Sequence, residues 1–146
     1  MAITSAVCNS FKQEILEAEH NFTASTGNTF NLALYTSSGT FGASTTAYSS
    51  SNEITNTSGP SYSAKGKALT SVTPTLDSST AVCDFSDVSW TSASFTANGC
   101  LIFNDSHSTD AAVCAIAFGG DKTVSSGTFT IQFPAAAAST AIIRIA

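Results

Sequence analysis

The chain has 146 residues, of which 42% are aliphatic, aromatic or cysteine and only 10% are charged, with five basic residues against ten acidic ones. That length fits one domain with a core that needs neither metal nor disulfide, and Ser and Thr, roughly a third of the chain, fill the place that charge usually takes. Lys12, Lys65, Lys67, Lys122 and Arg144 are scattered, so the clustered cations that grip a phosphate backbone or an anionic membrane are missing, and no apolar run approaches a membrane span.

Taken in chain order, the first element is a helix predicted over residues 3–20. Ile3, Val7, Phe11 and Ile15 recur every four residues with Cys8 and Leu16 beside them, and Lys12, Gln13, Glu14, Glu17 and Glu19 cover the other face. Thr4 or Ser5 suits the cap, and Asn21 the exit. So short a helix must dock its stripe on this chain's sheet or on a neighbouring subunit. The opening Met1-Ala2-Ile3-Thr4-Ser5 has no basic region followed by an apolar run, which predicts a cytosolic origin rather than secretion.

Residues 28–146 read as β. The segment 30–35 alternates, sending Phe30, Leu32 and Leu34 inward, and 128–133 does so more sharply with Phe129, Ile131 and Phe133, which are therefore expected to matter most for stability. Further strands are expected at 67–72, 81–85, 88–95, 99–104, 112–118 and 141–145, bounded by Asn98-Gly99, Asn104-Asp105 and Gly119-Gly120-Asp121 turns. Short strands with no helices between them indicate a mainly β, antiparallel, jelly-roll-like sandwich behind one N-terminal amphipathic helix, all in one domain over 1–146. Residues 36–63 break the pattern. They are rich in Ser, Thr, Gly, Ala and Asn, with Phe41, Tyr48, Ile54 and Tyr62 as the large apolar residues, and read as a long loop or an arm lying along a neighbour. The candidate interaction surface is accordingly Val7, Phe11, Ile15, Phe41, Tyr48, Ile54 and Tyr62.

Chemistry is sparse. His20 reads as a residue of the helix C-terminus, and His107, inside Asn104-Asp105-Ser106-His107-Ser108-Thr109-Asp110, as part of a polar hairpin loop, because triad members meet from separate segments. Asp84, Asp87 and that loop lack a calcium-loop pattern. Gly119-Gly120-Asp121-Lys122-Thr123 lacks phosphate-loop spacing and reads as a hairpin turn. Cys8, Cys83, Cys100 and Cys114 are widely spaced and read as buried free thiols. Three Asn-X-Ser/Thr matches, at Asn21, Asn56 and Asn104, are expected by chance in so Ser/Thr-rich a chain. The expectation is no enzyme, no cofactor, no metal, no nucleic acid and no membrane. Trp90 reads as core, with a sugar platform on a Ser/Thr-rich surface as the carbohydrate-binding or adhesin alternative.

Three stretches carry a resemblance: residues 1–14, opening Met1-Ala2-Ile3-Thr4-Ser5-Ala6-Val7-Cys8; residues 30–36, Phe30-Asn31-Leu32-Ala33-Leu34-Tyr35-Thr36; and the close, Asp121-Lys122-Thr123-Val124, Phe129-Thr130-Ile131-Gln132-Phe133-Pro134 and Ala141-Ile142-Ile143-Arg144-Ile145-Ala146. They resemble small virion structural proteins of tailed bacteriophages found in marine and cyanobacterial phage genomes. The resemblance implies a virion protein made in the host cytoplasm and commonly a homotrimer. Its partners would be itself and the major capsid protein or other virion proteins. A head decoration or cement role comes first, with a collar, baseplate or fibre component as the alternative. No catalytic or binding residue carries over.

Overall fold

A computed structural model describes residues 2–55 and 61–146. The chain is mainly β, 49% strand and 6% helix, with two antiparallel sheets, one short helix and no closed barrel, the architecture of a β-sandwich with an N-terminal helix. The elements are β1 (Ala6–Val7), α1 (Asn9–Leu16), β2 (Phe30–Tyr35), β3 (Lys67–Ala68), β4 (Ser71–Asp77), β5 (Thr80–Phe85), β6 (Val88–Asn104), β7 (Ala111–Ile131) and β8 (Ile143–Ile145). The larger sheet runs β1-β7-β6-β2-β3 and the smaller β4-β5-β8.

The helix is shorter than its apolar stripe. Ile3 forms a bridge to Phe41, and Ala6 and Val7 pair with Ala115 and Cys114, so backbone donors that a helix would use are spent on sheet bonds. α1 starts after Cys8 without a side-chain cap, so neither Thr4 nor Ser5 serves as one. It stops where Ala18 turns left-handed at φ 62°, the conformation that closes many helices. Within α1 Phe11 alone is fully in the core, Ile15 is half-buried, and Leu16 faces solvent, 88% exposed.

β2 occupies the predicted residues, yet all six are buried instead of alternate ones. It lies between β6 and β3, with register Leu32↔Ile102 and Leu32↔Lys67. Its second face is covered by the polar stretch that follows it: Phe41 packs on Tyr35 at 4.2 Å, and Leu34 N–H donates to the Tyr62 hydroxyl at 2.8 Å. Asn31, which alternation sends to solvent, is buried and donates to the Lys65 carbonyl at 3.3 Å.

β6 and β7 are far longer than the sequence suggests, because two of the three turn signals lie within strands. Asn98-Gly99 is interior to β6. A Cβ on Gly99 would come within 2.6 Å of the Ile116 carbonyl oxygen, so this glycine serves close strand approach rather than a turn. Gly119-Gly120-Asp121 is interior to β7, where Gly99 pairs with Ala117 but Ala97 pairs with Lys122. The extra residues leave the ladder as a large bulge, with Gly119 at φ 73° and Gly120 at φ 139°. The Asn104-Asp105 signal does mark the turn between the two strands. Beyond the bulge the outer halves of β6 and β7 are paired with each other alone among the described residues, and they form a ribbon.

Candidate functional site

The interaction surface expected from sequence is largely interior. Phe11, Phe41, Ile54 and Tyr62 are buried core residues, and Val7, Ile15 and Tyr48 pack half-buried against that core. The stretch expected to lie along a neighbour binds its own sandwich instead. Thr4 N–H donates to Phe41 O at 2.8 Å, Asn9 N–H to Ala43 O at 2.8 Å, Ala112 N–H to Thr46 O at 3.0 Å and Ile54 N–H to Leu34 O at 2.9 Å. Glu53 ties the stretch together, accepting hydroxyl protons from Tyr48 at 2.5 Å and Tyr62 at 2.7 Å. Burial and the facing Glu53 carboxylate push the Tyr48 phenol up to about 12 and Tyr62 higher still. Phe41, Ile54 and Tyr62 are thus anchored in this chain's core while the described polar residues between them run along its surface, and Asn56 lies outside the described residues.

Both histidines are held by partners on their own chain. His20 sits four residues beyond α1, its side chain fully buried, with Nε2 2.8 Å from Glu14 Oε2. Asn104 accepts the Ser106 N–H at its Oδ1, which turns its amide nitrogen toward His20 Nδ1 at 3.2 Å. Both ring nitrogens are therefore engaged, and Phe11, Phe22 and Phe30 surround the ring at 4.9–6.3 Å. His107 lies in the predicted hairpin loop, bonded to Thr109, while Asp110 pairs with Lys65 at 2.8 Å and Ser106 Oγ accepts the Thr29 N–H at 2.8 Å. The three triad residue types in that loop thus point to separate partners.

Trp90 is 1% exposed, enclosed by Tyr62, Phe95 and Phe129 with the Lys67 ammonium 5.6 Å from its ring centre, so it presents no platform to a sugar. Asp84 is buried beside Phe85, whose N–H it accepts at 2.8 Å. All four cysteines are free and buried. Burial raises each thiol, Cys8 to about 11 and Cys83 and Cys114 to about 12. Among the described residues no group of three or more His, Cys, Asp or Glu is placed to hold a metal ion, and no helix is long and apolar enough to cross a membrane.

An apolar groove of about 580 Å³ opens where the ribbon meets the C-terminal segment. Ile116, Phe118, Phe129, Ile131, Phe133 and Ile142 line it, Cys100 contributes to its wall, and Lys122 stands among the lining residues. Phe118, Phe129 and Ile131 are only half-buried, so the sharpest alternation in the chain forms the wall of a groove more than the centre of a core. Ile116 and Phe118 precede the Gly119-Gly120 bulge and Phe129 and Ile131 follow it; the bulge brings Phe118 and Phe129 to 6.3 Å between ring centres. Two period-2 apolar pairs on either side of a Gly-Gly step were the available sequence signal. A groove this size falls within the range of ligand and partner sites. Compared with known proteins, the chain matches no family model, no curated protein and no solved structure.

Proposed function

We propose that this chain is a non-enzymatic structural protein of a tailed-phage particle, acting at the head as a decoration or cement protein that docks on assembled capsid subunits. The observation that carries the reading is the apolar groove walled by Phe118, Phe129 and Ile131, half-buried side chains that leave one flank open to a partner. The three-stretch resemblance points to the particle. A protein that binds the closed shell and not free subunits shifts assembly toward the shell by mass action. It needs an apolar contact face and no reactive pocket. A homotrimer, near three times 14.9 kDa, is part of the proposal.

The test is co-sedimentation of purified protein with capsids lacking it and, separately, with unassembled capsid protein, using wild type and Phe118→Ser/Ile131→Ser. Saturable binding of wild type to shells alone, weakened by the double substitution at retained fold, is expected. Failure to bind shells overturns the head assignment, and immunogold label confined to tails moves the protein to a collar, baseplate or fibre position.

A further inference from the structure

The C-terminal residues 132–146 are fastened differently from the rest of the chain. β8 supplies only three residues, paired with β5 at the edge of the smaller sheet through Ala81↔Ile145, Val82↔Arg144 and Cys83↔Ile143. Residues 132–142 belong to no strand. They close a turn on themselves, Ala141 N–H donating to Ala137 O at 2.9 Å and Thr140 Oγ1 to Ala135 O at 2.7 Å. Carboxylates tie this turn to the body: Asp87 accepts the Phe133 N–H at 2.8 Å and Asp77 the Ala138 N–H at 2.7 Å. Asp84 faces the Ile142 N–H, with its own Oδ2 buried and unpartnered.

Packing is loose on both flanks of this segment. On one side Phe133, Pro134 and Ile142 border the 580 Å³ groove. On the other, Ile143 and Ile145 border an apolar gap of about 90 Å³ shared with Ile15, Phe22 and Pro74. Ile145 is 55% exposed and stands in one cross-strand row with Ala81 and Leu76, itself 73% exposed. Phe133, Ala141 and Ile143 are buried, yet the segment lies between two gaps and is held to the sheet by a three-residue edge ladder, and so short a ladder belongs to the part of a fold that opens first.

The element that best refills the vacated β5 edge is one with the same sequence, because a second copy's Ile143-Arg144-Ile145 restores the same ladder and the same apolar contacts. Residues 132–142, extended at about 3.3 Å each, reach roughly 36 Å, enough to cross to a neighbouring body. We propose that residues 132–146 are an exchangeable arm that leaves its own β5 and adds to the β5 edge of a second copy. The proposal is independent of the phage reading.

The experiment uses full-length chains. Ala81→Cys and Ile145→Cys chains, each without an intrachain partner, are mixed at high concentration under mild oxidation; the native thiols are buried. Exchange yields a mixed covalent dimer several-fold above that from Ile145→Cys mixed with Ser37→Cys, a solvent-exposed control position. The double variant Ala81→Cys/Ile145→Cys, or Val82→Cys/Arg144→Cys should the first pair fold poorly, locks the arm in place. It should lose concentration-dependent association and regain it on reduction. A mixed dimer no more abundant than the control, or a locked chain that associates as readily as wild type, overturns the proposal.

Discussion

Truncating two phenylalanines separates the sealed core from the open groove. Phe30 is fully buried, stacked on Phe22 at 4.2 Å and flanked by Phe85 at 5.9 Å. Phe30→Ala therefore loses a whole ring's transfer energy and leaves an enclosed void, about 3–5 kcal/mol together. Phe129 rests on Phe95 at 5.0 Å and Trp90 at 6.3 Å, but its other flank is the groove. Removing its ring widens a space already open, so the cavity cost largely disappears, and the partial burial leaves about 1–2 kcal/mol of transfer energy. Urea unfolding of both variants, compared at equal m-values, should show a gap of roughly 2–3 kcal/mol in favour of Phe129→Ala. Equal losses would refute the reasoning, since they would mean that the groove is filled in solution.

A pair of glycines tests backbone strain: a Cβ on Gly66, at φ 65°, would lie 1.8 Å from the Leu32 carbonyl oxygen, whereas one on Gly119, at φ 73°, meets nothing within 4 Å. Gly66→Ala should therefore prevent folding or displace β2, while Gly119→Ala should cost about 1–2 kcal/mol in a urea melt; equal effects would contradict the close approach. Burial raises the Asp84 carboxyl above the unfolded value of about 3.9. Between those two values the folded state holds the extra proton, so this group's contribution makes stability fall as pH rises through that window. Asp84→Asn should remove that part of the fall, seen as a difference from wild type in urea midpoints between pH 3 and pH 7; parallel curves would count against it. The raised, buried thiols should react with a thiol-specific disulfide reagent at pH 8 only after denaturant is added, and rapid labelling of the native protein would show that the core around them opens.

The strand at 30–35 was legible because large apolar residues alternate with small and polar ones there. Its complete burial was not, because the covering layer is polar by composition. Ser and Thr in 36–55 satisfy backbone partners on the same chain as readily as on a neighbour, so composition alone does not choose between a wrap and an arm. The four-residue spacing of Ile3, Val7, Phe11 and Ile15 is met by a bridge, a strand and a short helix in succession, and only Phe11 and Ile15 lie on the helix. The groove is hidden in the sequence for a related reason. Phe118 and Phe129 are eleven positions apart, and their approach depends on a bulge whose Gly-Gly signature also marks turns.

The long β6–β7 hairpin also sets an order of events in folding. Its turn at 105–110 spans few residues, so this pair can zip from a local nucleus on the microsecond scale. Two strands of the larger sheet join this hairpin directly: β2 pairs with residues 99–104, and β1 with 114 and 115, more than a hundred positions downstream of Ala6 and Val7, while β3 pairs with β2 alone. During synthesis Ala6 and Val7 have no strand to pair with until β7 has left the ribosome, whereas Phe30 needs only β6 to complete its ladder. The apolar residues of β1 are thus unpaired longest, and slowed translation upstream of residue 115 should raise their exposure to chaperones.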